Sequence, residues 1–332
     1  TGASRCVHAT ALQPASTGAD WGEASTWHWL DLKCHWRVLG QPSAPPIVLI
    51  HGFGASSSHW RHNAGVLAAA GYRVFSLDLI GFGRSDQPGL NRHFSLDNRL
   101  WSRQLAAFLE EVVQQPAVLV GNSLGGLTVL TTAALRPELV KAAIAAPLPD
   151  PTLLRPLPKQ QSRWLKRLRR IAVTAICRLL PLELIVPLIA RTPLLRAGLQ
   201  GAYQRSIRSD RELQALIAQP ALRLTAARSL RAMSVGMALR PRNATAPELL
   251  QQLKTMRNAP PVLLLWGRQD RFVPLMIGEL VQSQHPWVEL KVIENAGHCP
   301  HDETPERFHL ELLHWLDRNL GVTSAPGIGH QA

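Results

Sequence analysis

Residues 117–125 have the sequence AVLVGNSLG, an apolar strand that runs directly into a Gly-x-Ser-x-Gly turn and then into a helix-forming segment. A serine on such a tight turn is lifted out of the sheet, and the flanking glycines permit the strained backbone. The N-terminus of the following helix favours negative charge beside the hydroxyl. A glycine-rich helix cap is the alternative, and phosphate binding is disfavoured because Gly-x-Gly-x-x-Gly spacing and a P-loop lysine are absent here. The stretch predicts a nucleophile, Ser123.

Apolar runs of strand length recur on both sides of this stretch, at residues 46–50, 74–77, 142–146, 262–266 and 290–293. They are apolar on both faces, as buried parallel strands are. Helical patterns alternate with them at residues 58–70, 95–113, 124–135, 276–284 and 304–320. Residues 27–30 and 35–39 predict an antiparallel hairpin at the sheet edge. We therefore predict an α/β fold whose doubly wound sheet is mostly parallel.

The alternation stops between residues 151 and 250, which are rich in Leu, Ala and Arg and are interrupted by prolines. This segment predicts an all-helical cap inserted into the α/β core. The expected organisation is an irregular segment 1–25, core residues 26–150, the cap 151–250, core residues 251–322 and a flexible tail 323–332.

The net charge of +13 is concentrated in the cap segment. Residues 151–250 contain eighteen Lys and Arg against four acids, whereas the rest of the chain carries eighteen bases and nineteen acids. Such a segment indicates an anionic partner. Because no nucleic-acid-binding motif accompanies it, we expect a membrane surface and no nucleic acid.

Composition excludes several protein classes. Hydrophobic residues make up 46% of the chain and charged residues 18%. The hydrophobic residues are numerous enough to form a large core, and the chain is too apolar to be globally disordered. The longest apolar tract, residues 179–190, contains Glu183 and two prolines and is too short to span a membrane. The four cysteines show no zinc-binding spacing, which favours a reducing compartment. We expect no metal and no cofactor.

A serine nucleophile needs a base and an acid, in the chain order Ser, Asp or Glu, His. Asp270 follows the predicted strand 262–266, and His298 follows the predicted strand 290–293. Both therefore lie at the carboxyl ends of parallel strands, where open α/β sheets place their sites. A helix N-cap for Asp270 and a surface position for His298 are the alternatives. Asp150 is a second candidate acid, and His301 is expected to begin a helix.

An oxyanion hole would complete the site. Residues 51–54, His-Gly-Phe-Gly, follow the strand at 46–50, and their glycines let the loop approach the serine. We expect the backbone amides of Phe53 and Leu124 to bind the oxyanion. A simple tight turn is the alternative for this loop.

These motifs, in this order, resemble the α/β-hydrolase superfamily over about residues 40–150 and 255–320. The resemblance implies the α/β-hydrolase fold with a helical cap. The predicted nucleophile is a serine and not an aspartate. This favours a reaction through an acyl-enzyme over one through an alkyl-ester intermediate.

The stretches GNSLGGLTVL, AAPLPDPTLL, LLLWGRQDRFVP and ENAGHCPHDETPERF, together with the basic cap, resemble the chlorophyll dephytylase and pheophytinase group of plants and cyanobacteria. That resemblance implies hydrolysis of the phytyl ester of a chlorophyll-type pigment, and a location on the cytoplasmic or plastid-stromal side of a membrane such as the thylakoid. A general long-chain carboxylesterase or lipase and a noncatalytic member that binds a lipophilic ligand are the alternatives.

Residues 162–180 predict a basic amphipathic cap helix. One face carries the bases, Arg163, Lys166, Arg167, Arg170 and Arg178, and the other carries Trp164, Leu168, Ile171 and Leu179. We predict that Trp164, Leu168 and Ile171 face the substrate or a membrane, with the charges toward anionic headgroups. The alternative is a solvated charged face on a helix packed against its own domain.

Overall fold

The computed structural model describes residues 18–156, 158 and 162–321, so residues 1–17 and the predicted tail 323–332 lie outside the described part. Its strands are β1 (Glu23–Trp29), β2 (Leu32–Leu39), β3 (Pro46–Ile50), β4 (Arg73–Leu77), β5 (Ala117–Gly121), β6 (Val140–Ala145), β7 (Val262–Gly267) and β8 (Glu289–Ile293). They form one sheet in the order β1-β2-β4-β3-β5-β6-β7-β8. The strands β3 to β8 are mutually parallel, and β2 pairs antiparallel with β1 and β4. The predicted sheet is confirmed.

The helices are α1 (Ala64–Ala69), α2 (Asn98–Phe108), α3 (Leu124–Leu135), α4 (Arg163–Leu179), α5 (Leu182–Arg191), α6 (Pro193–Ala202), α7 (Arg211–Ala221), α8 (Ala226–Leu239), α9 (Ala246–Thr255), α10 (Leu275–Gln284), α11 (Pro300–Glu303) and α12 (Pro305–Leu320). Side chains alternate between the two faces of a strand. Val48 and Ile50 of β3 therefore join the core beneath α2, α3, α9 and α10. Ile47 and Leu49 join the core beneath α1 and α12. The sheet is covered on both faces.

The N-terminal part of the described chain packs against the core instead of being irregular up to residue 25. A 3₁₀ turn, Gly18–Asp20, precedes β1, which begins at Glu23. Trp21 is buried, and its indole N–H donates to the carbonyl of Ser57 at 3.0 Å. The buried Trp21 therefore holds the segment before residue 26, where the core was predicted to begin, against the rest of the protein.

The helical cap comprises α4 to α8, inserted between β6 and the last two strands. The predicted cap boundary at residue 250 falls inside α9. This helix belongs to the core, because Leu249, Leu250 and Leu253 are buried in the main core. The core therefore resumes at Ala246. The insertion leaves the carboxyl ends of the parallel strands beneath the cap.

Candidate active site

Ser123 lies at the turn between β5 and α3, with φ 51° and ψ −116°. This is a strained conformation for a residue with a side chain. A Cβ atom on Gly121 would come within 2.2 Å of the carbonyl of Gly125, and one on Gly125 would come within 2.2 Å of the carbonyl oxygen of Ile50. Both glycines are therefore required by space, and they let the turn pack tightly against β3.

The structure brings together the three residues predicted for the triad. Nε2 of His298 lies 2.8 Å from Oγ of Ser123, and its Nδ1 lies 2.8 Å from Oδ2 of Asp270. All three residues are buried. They follow β5, β7 and β8, so the carboxyl ends of three parallel strands supply the site.

Backbone amides fix the carboxylate of Asp270. Its Oδ1 accepts hydrogen bonds from the amides of Phe272 at 2.8 Å and Val273 at 2.9 Å. A carboxylate only accepts hydrogen bonds, so Nδ1–H of His298 donates to Oδ2 of Asp270. Nε2 is then free to accept the hydroxyl proton of Ser123. The arrangement can activate the serine as a nucleophile.

Asn122, which the sequence analysis missed, holds the backbone of His298. Its amide nitrogen donates to the carbonyl of His298 at 3.1 Å and to that of Ala146 at 2.7 Å. The amide of His298 in turn donates to the carbonyl of Ala202, at the end of α6, at 2.7 Å. An amide side chain directly before the serine is the sequence signal that could have identified this role.

The His51-Gly-Phe-Gly loop is held by a buried histidine. Nδ1 of His51 donates to the carbonyl of Gly52 at 2.8 Å, and Nε2 accepts from the amide of Leu79 at 3.0 Å. Burial lowers the pKa of His51, which keeps it neutral as these two bonds require. Within the described residues the amides of Phe53 and Leu124 have no hydrogen-bond acceptor. They are available for an oxyanion.

The two alternative residues have other surroundings. Asp150 accepts from Arg240 Nη2 at 2.7 Å and from the amide of Ala246 at 2.8 Å, which connects β6 to the end of the cap. His301 lies in the short helix α11, near its start as predicted. Its buried ring packs against Trp60 with 4.3 Å between centroids and 42° between the ring planes, and burial lowers its pKa well below the usual range. Neither residue contacts Ser123 by a hydrogen bond.

A cavity of about 600 Å³ opens from Ser123 and His298 toward the cap. Its walls are mostly apolar side chains of α5 to α8, among them Val186, Ile189, Leu194, Leu195, Leu199, Ile217, Leu230 and Met233. Among the described residues no Lys or Arg lines it. The cavity suits an apolar ligand.

Trp164, Leu168 and Ile171 do not line this cavity, so of the two predicted surroundings, the substrate or a membrane, the structure contradicts the first. The helix that carries them, α4, packs against α8 through the side that contains Val173 and Cys177. Its apolar stripe lies on the opposite side and is exposed to solvent. The helices α5 to α8 form the roof instead.

A buried polar network joins the cap to the core behind the site. Nε of Arg61 donates to Asp302 at 2.8 Å, and Nη2 donates to Asp210, at the start of α7, at 2.6 Å. The hydroxyl of Tyr203 donates to Asp302 at 2.9 Å, and burial raises the pKa of Tyr203 well above its usual range. These contacts fix α6 and α7 over the core.

The profile of the "Alpha/beta hydrolase family" matches residues 47–309. The chain belongs to this family. It is 25% identical over 292 residues to a 2-hydroxy-6-oxononadienedioate/2-hydroxy-6-oxononatrienedioate hydrolase of Paraburkholderia xenovorans, with 86% of this chain and 91% of that protein covered. It is 26% identical over 325 residues to the chloroplastic pheophytinase of Arabidopsis thaliana, with 86% of this chain and 64% of that protein covered.

Solved structures of other proteins have a similar fold. A bacterial membrane phospholipase A superposes with a TM-score of 0.66 at 25% identity, covering 91% of this chain and 87% of that one. A lipase candidate from Acinetobacter baumannii superposes with a TM-score of 0.69 at 20% identity, covering 91% and 93%. These structures support the α/β-hydrolase fold.

Proposed function

We propose that this α/β hydrolase cleaves lipophilic carboxylic esters through an acyl-enzyme on Ser123. The observation that carries the proposal is the hydrogen-bonded chain from Asp270 through His298 to Ser123 at the floor of an apolar cavity. No part of the reaction requires a metal or a cofactor.

In the first half-reaction, Oγ of Ser123 attacks the ester carbonyl carbon and its proton moves to Nε2 of His298. Asp270 accepts the Nδ1 hydrogen bond and stabilises the imidazolium. The amides of Phe53 and Leu124 bind the oxyanion of the tetrahedral intermediate. Collapse of the intermediate breaks the ester C–O bond, and His298 returns the proton to the departing alkoxide, which leaves as an alcohol.

In the second half-reaction, water attacks the acyl carbon while His298 takes one of its protons. The second tetrahedral intermediate collapses, the bond to Oγ breaks, and His298 protonates the serine. The products are a carboxylic acid, an alcohol and the free enzyme. The buried Nε2 must be unprotonated at the start of both halves.

The cavity favours esters over the dicarboxylates that the hydrolase of P. xenovorans is named for. A dicarboxylate buried without cationic partners loses hydration that nothing replaces. The described cavity lining provides mostly apolar side chains, a few uncharged polar ones such as Gln87, and no Lys or Arg. The similarity to the membrane phospholipase A also supports a lipid-like ester.

Within this class we propose the phytyl ester of a chlorophyll-type pigment, cleaved to a chlorophyllide-type acid and phytol. The similarity to pheophytinase and the apolar cavity support it. The protein would then act at a pigment-containing membrane such as the thylakoid. A general long-chain esterase or lipase is the second candidate, which the similarity to the phospholipase favours.

The test incubates purified protein with detergent-dispersed chlorophyll, pheophytin and a long-chain p-nitrophenyl ester, and resolves the products by chromatography. We expect a pigment acid and phytol to form faster than nitrophenolate, and Ser123→Ala to form neither. Faster cleavage of the p-nitrophenyl ester would favour the general esterase. Absence of cleavage, together with absence of fluorophosphonate labelling, would identify a noncatalytic member.

A further inference from the structure

The outer cap face is the surface formed by exposed apolar side chains of α4 and α5: Trp164, Leu168, Ile171, Leu179, Leu184 and Leu188. We propose that this face docks on an anionic lipid bilayer and admits the ester from the membrane into the cavity. The entry of substrate rests on the proposed function, whereas the docking itself does not.

The apolar stripe of α4 is turned away from the protein. Trp164 is 68%, Ile171 57% and Leu179 82% exposed. Val173 and Cys177, on the other side of the helix, are only partly exposed and face α8, and Arg231 of α8 donates to the carbonyl of Cys177 at 2.8 Å. A helix on a soluble domain normally buries its apolar stripe in that domain. Here the stripe is left for a partner, as clustered exposed apolar residues generally indicate.

Basic side chains flank the apolar stripe without acidic partners. Arg167, Arg170 and Arg178 of α4 are exposed, and none forms an ion pair within the part of the chain that the structure describes. By contrast, Arg231 and Arg240, on the inner side of the cap, are paired with Glu183 and Asp150. The side chains of Arg163 and Lys166 lie outside the described part. An apolar stripe beside free arginines matches the interface of an anionic bilayer.

The outer cap face continues into the active-site cavity at the corner between α5 and α6. Leu184 and Leu188 point outward from α5, whereas Val186 of the same helix lines the cavity. Leu194, which begins the first turn of α6 after Pro193, is 59% exposed and also lines the cavity. An apolar substrate leaving the bilayer at this corner would therefore reach Ser123 without crossing bulk water.

The helices favour an orientation parallel to the membrane surface. Among the described residues no single helix has the length and apolarity to span a bilayer; Arg167–Leu179 and Leu182–Arg191 meet that test jointly but are bent by 54°. Arg170 and Arg178 lie along the first of these segments, and charges are costly inside the hydrocarbon layer. In the interface the arginines stay with the headgroups while the apolar stripe enters the acyl region.

Co-sedimentation with vesicles of phosphatidylcholine and phosphatidylglycerol tests the charge component. Each basic residue near an anionic surface contributes about 1 kcal/mol, or about fivefold in binding, so Arg167→Gln/Arg170→Gln/Arg178→Gln should lose roughly 100-fold at low salt. The matched control removes three exposed bases of the core, Lys141→Gln/Lys254→Gln/Arg257→Gln, and should bind like wild type. High salt should weaken the binding of wild type toward the level of the variant that lacks the three arginines.

Leu168→Ser/Ile171→Ser tests the apolar component and should weaken vesicle binding at low and high salt alike. Its control, Val66→Ser/Leu310→Ser, changes exposed apolar residues of the core and should bind normally. All variants should hydrolyse a soluble short-chain ester at the wild-type rate. If even wild type fails on that ester, the proposed function fails and vesicle binding still tests docking.

Three results would overturn the docking proposal. The first is that wild type does not bind anionic vesicles at low salt, and the second is that both cap variants bind as well as their controls. The third is that wild type is a dimer in size-exclusion chromatography and both cap variants are monomers, which would show that a second copy covers the outer cap face.

Discussion

Replacing Asp270 by asparagine should prevent His298 from acting as the base, without disturbing the fold. Oδ1 of Asp270 accepts two backbone amides, from Phe272 and Val273. An asparagine must place its only oxygen there, because an NH₂ group cannot accept those bonds. Its NH₂ group would then replace Oδ2, 2.8 Å from Nδ1 of His298.

Two donors would now face each other, so Nδ1 of His298 must give up its proton and become an acceptor. The neutral ring then carries its proton on Nε2, the atom that faces Ser123. A protonated Nε2 cannot accept the hydroxyl proton. Loss of the correct tautomer costs about 10⁴ in kcat in enzymes with this triad, or about 5.5 kcal/mol of transition-state stabilisation.

The assay is kcat for a soluble p-nitrophenyl ester near neutral pH, with far-UV circular dichroism as the check on folding. Asp150→Asn is the matched control: it should lower the melting temperature, because Asp150 accepts from Arg240 and Ala246, and leave kcat within a few fold. A folded Asp270→Asn variant with more than a tenth of wild-type kcat would refute the reasoning. A loss confined to Asp150→Asn would transfer the acid role to Asp150.

Gly125→Ala should prevent folding or lower the melting temperature sharply, since its Cβ would lie 2.2 Å from the carbonyl oxygen of Ile50; a normal melting curve would contradict this packing. His309 accepts a hydrogen bond from Asn63 at 2.9 Å, and burial lowers its pKa to about 4. As the pH falls, His309 of the unfolded chain therefore binds a proton near pH 6.5, whereas in the native state it stays neutral down to about pH 4. The free energy of unfolding consequently decreases between pH 6.5 and 4, by up to about 3 kcal/mol from this group. In urea titrations His309→Gln should show a shallower loss over that range, and an unchanged pH slope would contradict the assignment. Leu195→Arg should slow hydrolysis of long-chain esters at least tenfold and spare acetate esters, because it puts an unpaired charge on the cavity wall; equal rates on both would mean that the cavity does not hold the substrate chain.

Much of the fold follows from local sequence patterns. Short apolar runs predicted the six parallel strands, because a strand buried on both faces has no polar side to show. Ser123, Asp270 and His298 could be placed on one sheet edge because parallel strands end at the same side. The distances between them could not be predicted, since they depend on long-range contacts such as the bond from Asn122 to the carbonyl of His298.

The cap shows the limit of periodicity. The pattern at residues 162–180 predicted a helix, which the structure has at Arg163–Leu179. Periodicity shows that a helix has an apolar stripe, and it does not show what covers the stripe. Trp164 and Ile171 face solvent because α8 packs on the other side of α4, a choice made by tertiary contacts. Trp21 illustrates the same point. Its burial against residues that are distant in the sequence holds the segment before β1 in place, and no local sequence pattern predicted this contact.

The acyl-enzyme on Ser123 is the central claim, and intact-protein mass spectrometry tests it most directly. The protein is mixed with excess p-nitrophenyl palmitate in detergent, quenched in acid within the first turnovers, and weighed. We predict that wild type gains the mass of one palmitoyl group, mapped by peptide analysis to Ser123, and that Ser123→Ala gains none and releases no nitrophenolate. Steady turnover by Ser123→Ala, or an acyl group on another residue of wild type, would contradict the account.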